Sequence, residues 1–140
     1  NWLCLKRLVR FGDTDPAGVI HFHHIFRWSH EAWEDSLERF GCNTTTIFPA
    51  YCQAEAFPEI ILPIVHCEAE FRIPISTGDV LNIQLIPEKL DGNSFHIKTK
   101  FYREKEEAAF TLIRHLAINS KSRERCNLPK CIDQWLAASI

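Results

Sequence analysis

The chain contains no methionine, no CxxC pair and no long basic run. It also has no apolar stretch near the roughly 18 residues that cross a bilayer as a helix. Each absence removes a class of function. Without such a stretch no membrane partner is expected, and the first residues show no apolar run of the kind a secretory leader carries. With 16 Lys and Arg against 18 Asp and Glu, the net charge of -2 offers no basic field for nucleic acid. A chain that opens on Asn1 and holds no methionine leaves room for residues upstream. The six cysteines, Cys4, Cys42, Cys52, Cys67, Cys126 and Cys131, are irregularly spaced. Hydrophobic residues make up 46% of the chain, enough to build a core without staples. Free thiols in a cytoplasmic protein are therefore the expectation.

At 140 residues the chain fits one domain, residues 1–140, with enough length to bury a core. Residues 3–11 (LCLKRLVRF) alternate, with Leu3, Leu5, Val9 and Phe11 on one face and Arg7 interrupting it, which predicts a strand. Residues 12–18 read as a loop. From Phe22 the period changes: Phe22, Ile25, Phe26, Ser29, Trp33, Leu37 and Phe40 recur at steps of three and four. That stripe predicts an amphipathic helix of about eighteen residues, ended by Gly41. Trp28 and Trp33 are expected in the core or an interface.

Residues 42–58 give no single reading: TTTIF is β-prone, whereas YCQAEAF suits a short helix. Beyond them the pattern is β. Residues 59–73 suit one long strand with Pro63 marking a bulge or an edge. Residues 80–86 alternate cleanly, and DGNS (91–94) reads as a hairpin turn. Phe95, Ile97, Thr99 and Phe101 then share a face, and a last strand follows EKEE (104–107). A basic tail, 121–130, precedes a short apolar end. Strand, long helix and four strands in meander make an α+β domain whose single helix covers one face of the sheet, leaving the other for a second subunit.

The stretch FGDTDPAGVIHFHH (11–24) concentrates the chemistry. His21, His23 and His24 lack the i, i+4 spacing of helical metal ligands, so no metal is expected. Asp13 and Asp15 lie too far upstream to cap the helix, and aspartates in such loops commonly bond nearby backbone N–H groups. The helix, however, starts without Ser, Thr, Asp or Asn at its cap, so its first N–H groups are left free. Free N–H groups beside a carboxylate suit acyl transfer, in which an oxyanion develops.

Residues 11–28, FGDTDPAGVIHFHHIFRW, resemble the signature of the 4-hydroxybenzoyl-CoA thioesterase family: D-x-D-x-x-G, an apolar pair and a long helix. The resemblance implies the hotdog fold, a five-stranded antiparallel sheet wrapped around one long helix. PISTGD (74–79) looks like that family's turn before the third strand. SHEAWE (29–34) and LPIVHCEAEF (62–71) look like its cyanobacterial branch acting on 1,4-dihydroxy-2-naphthoyl-CoA in phylloquinone biosynthesis.

By position, the resemblance makes Asp15 the catalytic carboxylate, as nucleophile or as general base on water. Phe22 takes the place of the residue whose backbone N–H meets the thioester oxygen, and Asp13 orders the loop. Gly18, His21, His30, Glu31 and His66 form the expected substrate-binding set, although Glu31 also has Arg27 at i, i+4. The resemblance further implies hydrolysis of an acyl-CoA without cofactor by a homodimer or homotetramer. The chain departs from the family where adjacent arginines meet the nucleotide phosphates: EKLDGNSF (88–95) carries only Lys89. Lys98, Lys100, Arg103, Lys121, Arg123 and Arg125 are the possible substitutes. A thioesterase of broader specificity, a non-catalytic acyl-CoA-binding module and a hydratase are the alternative functions.

Overall fold

The computed structural model describes residues 1–49 and 57–140. Its frame is a five-stranded antiparallel sheet with strand order β1-β4-β5-β6-β3, built from β1 (Cys4–Leu8), β3 (Ile64–Phe71), β4 (Val80–Lys89), β5 (Ser94–Arg103) and β6 (Glu106–Leu116). Two short strands, β2 (Ile60–Ile61) and β7 (Ile118–Asn119), pair beside it. Helix α1 (His24–Phe40) lies across one face of the sheet and α2 (Lys130–Ala138) closes the chain.

The apolar alternation holds the frame together. Phe95, Ile97, Thr99 and Phe101 of β5 are buried, as their shared face predicts, with Leu81, Ile83 and Leu85 of β4 beside them. They meet Ile25, Trp28, Ala32, Trp33 and Leu37 of α1, every one at most 3% exposed. Gly41 ends α1 at φ 110°, a left-handed conformation that favours glycine. Its N–H bonds the carbonyls of Leu37 and Glu38. Pro87 is tolerated inside β4 because the N–H two residues earlier, on Leu85, bonds Leu3 on the β1 flank. Pro87 faces the same flank beyond the end of β1, where no ladder bond is lost.

Several expectations are corrected. The strands do not form a simple meander: the chain leaves α1, places β3 at the far edge against β6, then returns to fill the sheet from β4. The stretch 59–73 is broken at Pro63, whose carbonyl accepts from Leu116, and the register shifts between Ile64 and His66. Edge and bulge are thus both found where the proline suggested them. β1 stops at Leu8, so Phe11 begins a 3-10 turn, Phe11–Asp13, and is 82% exposed rather than on the inner face. Phe22 precedes the helix and leaves the apolar stripe at 64% exposed. TTTIF is not a strand: Thr44–Thr46 form a 3-10 turn in which Asn43 accepts from the Thr45 N–H. The helix considered for YCQAEAF lies outside the described residues, except for Phe57, as does Cys52.

The cysteines give the largest correction. Cys42, just past Gly41, is bonded to Cys131 in the first turn of α2, with their Cα atoms 6.0 Å apart. Cys4, Cys67 and Cys126 are free. The apolar end of the chain is a helix that lays Ile132, Trp135 and Leu136 against α1 and β4, with the Trp135 indole donating to Ser36 Oγ at 3.1 Å. This packing brings two cysteines 89 residues apart in sequence into bonding range. Closing so long a loop restricts the unfolded chain and contributes about 2–4 kcal/mol. Urea unfolding with and without reductant should show that loss. Identical midpoints would show that the bridge adds nothing.

Candidate active site

Two aspartates two residues apart take different tasks. Asp13 is 5% exposed and fully engaged. Its Oδ2 accepts from the Arg10 N–H at 2.9 Å, and its Oδ1 lies 3.3 Å from Arg27 and 3.9 Å from Arg7. Arg7 and Arg27 also pair with Glu31, and the Arg7 guanidinium sits 5.2 Å from the centre of the Trp28 ring. The arginine that breaks the apolar face of β1 is therefore the bridge between β1, the loop and α1. Charges held this close to the core are stable only as a network.

Asp15 sits half-buried in the hairpin that Thr14 and Ile20 close. Its N–H bonds the Val19 carbonyl, its Oδ1 accepts from the Ala17 N–H at 2.7 Å, and its Oδ2 meets no donor among the described residues. Gly18 makes the bend at φ 84°. The hairpin returns the chain beside Asp13, whose carbonyl accepts the His21 N–H. Helix α1 then begins at His24 with His23 in the cap position and no side-chain cap. Among the described residues the backbone N–H groups of Phe22 and His23 have no acceptor. The first N–H groups of the helix itself are not free, contrary to expectation: those of His24, Ile25 and Phe26 meet the carbonyls of His21, Phe22 and His23 at 3.0, 3.3 and 3.2 Å, and the free donors are the two just ahead of the helix.

The side chain of Phe22 lines a cavity of about 360 Å³ with Val19, Ile20, Phe71, Arg72 and Ile75. Arg72, which pairs with Glu107 at 2.6 Å, is a cation at this cavity that sequence reasoning passed over. His21 and His23 are exposed, with Nδ1 atoms 2.5 Å apart, and His21 stacks on Phe22. Among the described residues no three His, Cys, Asp or Glu side chains converge as metal ligands.

A second cavity, about 380 Å³, lies further along α1. His30, Trp33, Phe48, Phe57, Ile64 and His115 line it. His30 lines this cavity and not the one beside Phe22. Glu31 is instead spent on Arg7 and Arg27. His66 is turned away: its neighbours on β6 show Cys67 facing inward opposite Ile113, which puts His66 on the outer face with Glu68. Strand parity, shifted by the bulge at Ile64, accounts for this. Lys98 and Lys100 also face outward, Lys89 is paired with Asp133, and Arg103 with Asp79.

His115 is the lining residue that sequence reasoning missed. The alternation of Thr111, Ile113 and His115 along β6 is the signal that places it inside. It is 2% exposed, its Nδ1 lies 2.9 Å from the Leu62 carbonyl, and its ring stacks on Phe95. Burial pushes its pKa down to about 4, and burial also lowers that of His30. A histidine whose folded pKa is depressed takes up its proton more readily when unfolded. Stability from this group is therefore complete above pH 6.5 and falls as pH drops toward 4. Between pH 7.5 and pH 5 the loss from His115 alone should be about 2 kcal/mol. Urea unfolding at both pH values should show His115→Gln losing that much less than the parent chain; equal losses would contradict the depressed pKa.

Comparison with known proteins fits this geometry. The family model of the Thioesterase-like superfamily matches residues 9–136. The 1,4-dihydroxy-2-naphthoyl-CoA hydrolase of Prochlorococcus marinus (strain MIT 9313) is 58% identical over 139 residues, 99% of this chain and 92% of that protein. A crystal structure from the same strain superposes with a TM-score of 0.96 at 57% identity, covering 100% of this chain and 97% of the other. The 1,4-dihydroxy-2-naphthoyl-CoA thioesterase of Synechocystis shares the fold, with a TM-score of 0.84 at 23% identity over 96% and 95% of the two chains. The five-stranded sheet carrying α1 is the hotdog fold, and the chain belongs to the thioesterase-like superfamily.

Proposed function

We propose that this chain hydrolyses an aromatic acyl-CoA thioester, 1,4-dihydroxy-2-naphthoyl-CoA, to 1,4-dihydroxy-2-naphthoate and CoA. The observation that carries the reading is an unengaged Asp15 Oδ2 on the hairpin that leads directly to the free N–H groups of Phe22 and His23, just ahead of α1. The relatives that share the whole chain and bear that hydrolase name supply the substrate.

In this reading the thioester carbonyl points its oxygen at the Phe22 N–H. Negative charge that develops there meets a fixed donor at the positive end of the helix. The task needs no particular side chain, which is consistent with an exposed Phe22. Asp15 acts in one of two ways. As nucleophile, its carboxylate forms a bond to the acyl carbon, CoA leaves as the thiolate, and water then splits the anhydride. As general base, it takes a proton from water, whose oxygen attacks the same carbon as the C–S bond breaks and CoA leaves as the thiolate. Neither route calls on a metal or an organic cofactor. Gly18 and His21 shape the approach to Asp15, and the second cavity takes the acyl ring.

The unit that acts is a homodimer joined through β3. This edge strand is exposed along its whole length, with Ile64, Val65 and Phe71 each more than 40% exposed. An unpaired edge of that kind is a template for a second strand. A two-fold, antiparallel β3 pairing would carry the Phe71 end of one protomer to the Ile64 end of the other. The Asp15 hairpin of one protomer then faces the ring cavity of its partner, and the outer sheet face is left for a tetramer. No helix of the described residues is long and apolar enough to cross a membrane.

Thiol release from aromatic and aliphatic acyl-CoAs tests the reading. The expected result is fastest turnover of 1,4-dihydroxy-2-naphthoyl-CoA, with kcat lowered about a thousandfold or more in Asp15→Asn. Faster turnover of benzoyl or aliphatic thioesters would overturn the substrate. Full activity in Asp15→Asn would overturn the mechanism, and no release from any thioester would leave an acyl-CoA-binding module.

A further inference from the structure

We propose that His115 is a specificity-determining residue: its Nε2 accepts a hydrogen bond from a phenolic hydroxyl on the acyl ring, so the cavity selects hydroxylated aromatic acyl groups over bare ones. The inference rests on the thioesterase reading above and adds to it the chemistry by which the ring is recognised.

The argument begins with what the cavity offers a ligand. Apart from two histidines and the indole N–H of Trp33, which donates but cannot accept, its described walls are apolar, with Phe48, Phe57 and Ile64 prominent among them. At about 380 Å³ it falls within the size range of small-molecule sites. Flat aromatic walls suit a flat aromatic ring, and they say nothing about substituents. Discrimination must come from the polar atoms.

Of the two histidines, His115 is the one with a fixed ring and a fixed tautomer. Its ring stacks on Phe95, with centroids 5.2 Å apart and planes 17° apart, and packs at a tilt against Trp33 at 4.7 Å. A carbonyl can only accept, so the Nδ1 that lies 2.9 Å from the Leu62 oxygen carries the proton. The ring is neutral, because burial opposes a second proton. Nε2 is left as a lone pair, and no donor among the described residues meets it. An acceptor that opens on an apolar cavity gains from a donor, so a ligand bringing an O–H completes it, whereas a carbonyl or carboxylate there would set lone pair against lone pair.

His30 stands 5.6 Å away, nearly perpendicular, with its own Nε2 buried and without a partner among the described residues. It has no carbonyl to fix its tautomer, so it can follow the ligand rather than select it. A histidine that merely completed the core would have both nitrogens satisfied or both away from the cavity. His115 has one nitrogen tied down and lines the cavity with the rest of its ring.

The test compares kcat/KM for 1,4-dihydroxy-2-naphthoyl-CoA and 2-naphthoyl-CoA in the parent chain, His115→Phe and His115→Gln. Phenylalanine keeps the stacking and removes the acceptor; glutamine returns an acceptor oxygen. The parent chain is expected to favour the hydroxylated substrate, His115→Phe to lower that preference roughly tenfold, and His115→Gln to restore part of it. Equal losses on both substrates in His115→Phe would make His115 a purely structural residue and overturn the proposal. So would a parent chain that turns over both substrates without preference, which would leave the hydrolase reading standing. No thiol release by the parent chain from either substrate would instead fail the hydrolase reading, and this proposal with it. Should His115→Phe not fold, fluorescence titration of His115→Gln and the parent chain with 1,4-dihydroxy-2-naphthoate and 2-naphthoate gives the same ratio from binding. Equal affinities of the parent chain for the two acids would overturn the proposal.

Discussion

The structure around the site depends on one carboxylate, that of Asp13. A buried charge needs partners, and Asp13 draws them from three parts of the chain: Arg7 on β1, the Arg10 N–H before the loop, and Arg27 on α1. Glu31 balances the second charge of the arginine pair, and Trp28 supports Arg7 from below. Because the network is shared, the loop cannot move relative to the helix without stranding charge near the core. The position of Asp15 follows from this. Its hairpin is short, closed by the Thr14–Ile20 bridge, and returned to the Asp13 carbonyl through the His21 N–H. The Asp15 carboxylate and the two free N–H groups of Phe22 and His23 are thereby held on one support, which is what the proposed stabilisation of a developing charge requires.

The two ends of α1 are closed by different means. At its C-terminal end Gly41 turns the backbone, its N–H closes the last carbonyls, and Cys42 is bonded to α2. At its N-terminal end no side chain caps the helix, and the N–H groups of His24, Ile25 and Phe26 are met by the carbonyls of His21, Phe22 and His23. The donors without an acceptor among the described residues, on Phe22 and His23, lie just ahead of the helix.

Much of this was legible in the sequence because it is local. The stripe from Ile25 to Leu37, the glycine stop at Gly41, the shared face of Phe95, Ile97, Thr99 and Phe101, and the absent cap before His24 are each written within one element. The DxDxxG stretch was enough to point to the family. What the sequence withheld is non-local. Alternation in residues 64–71 marks a strand but does not say that β6, rather than β4, is its neighbour. One bulge at Ile64 decides which face His66 takes, and that reverses its expected place. The bond between Cys42 and Cys131 depends on α2 crossing α1, which no spacing rule encodes. Arg7 looked like an interruption because its counter-charges lie 6 and 24 residues away, on Asp13 and Glu31. His115 was hidden for the same reason: its meaning comes from Leu62 and Phe95, which only the folded sheet brings to it.

The central claim is that the two aspartates divide the work, Asp13 holding and Asp15 reacting. The most direct test is to measure the melting temperature and the rate of thiol release for Asp13→Asn and Asp15→Asn side by side. The account predicts that Asp15→Asn melts with the parent chain yet releases almost no thiol. It predicts that Asp13→Asn melts several degrees lower, as loss of about 1–2 kcal/mol from a charge network would cause. An Asp13→Asn chain that melts with the parent, or an Asp15→Asn chain that keeps its turnover, would contradict it.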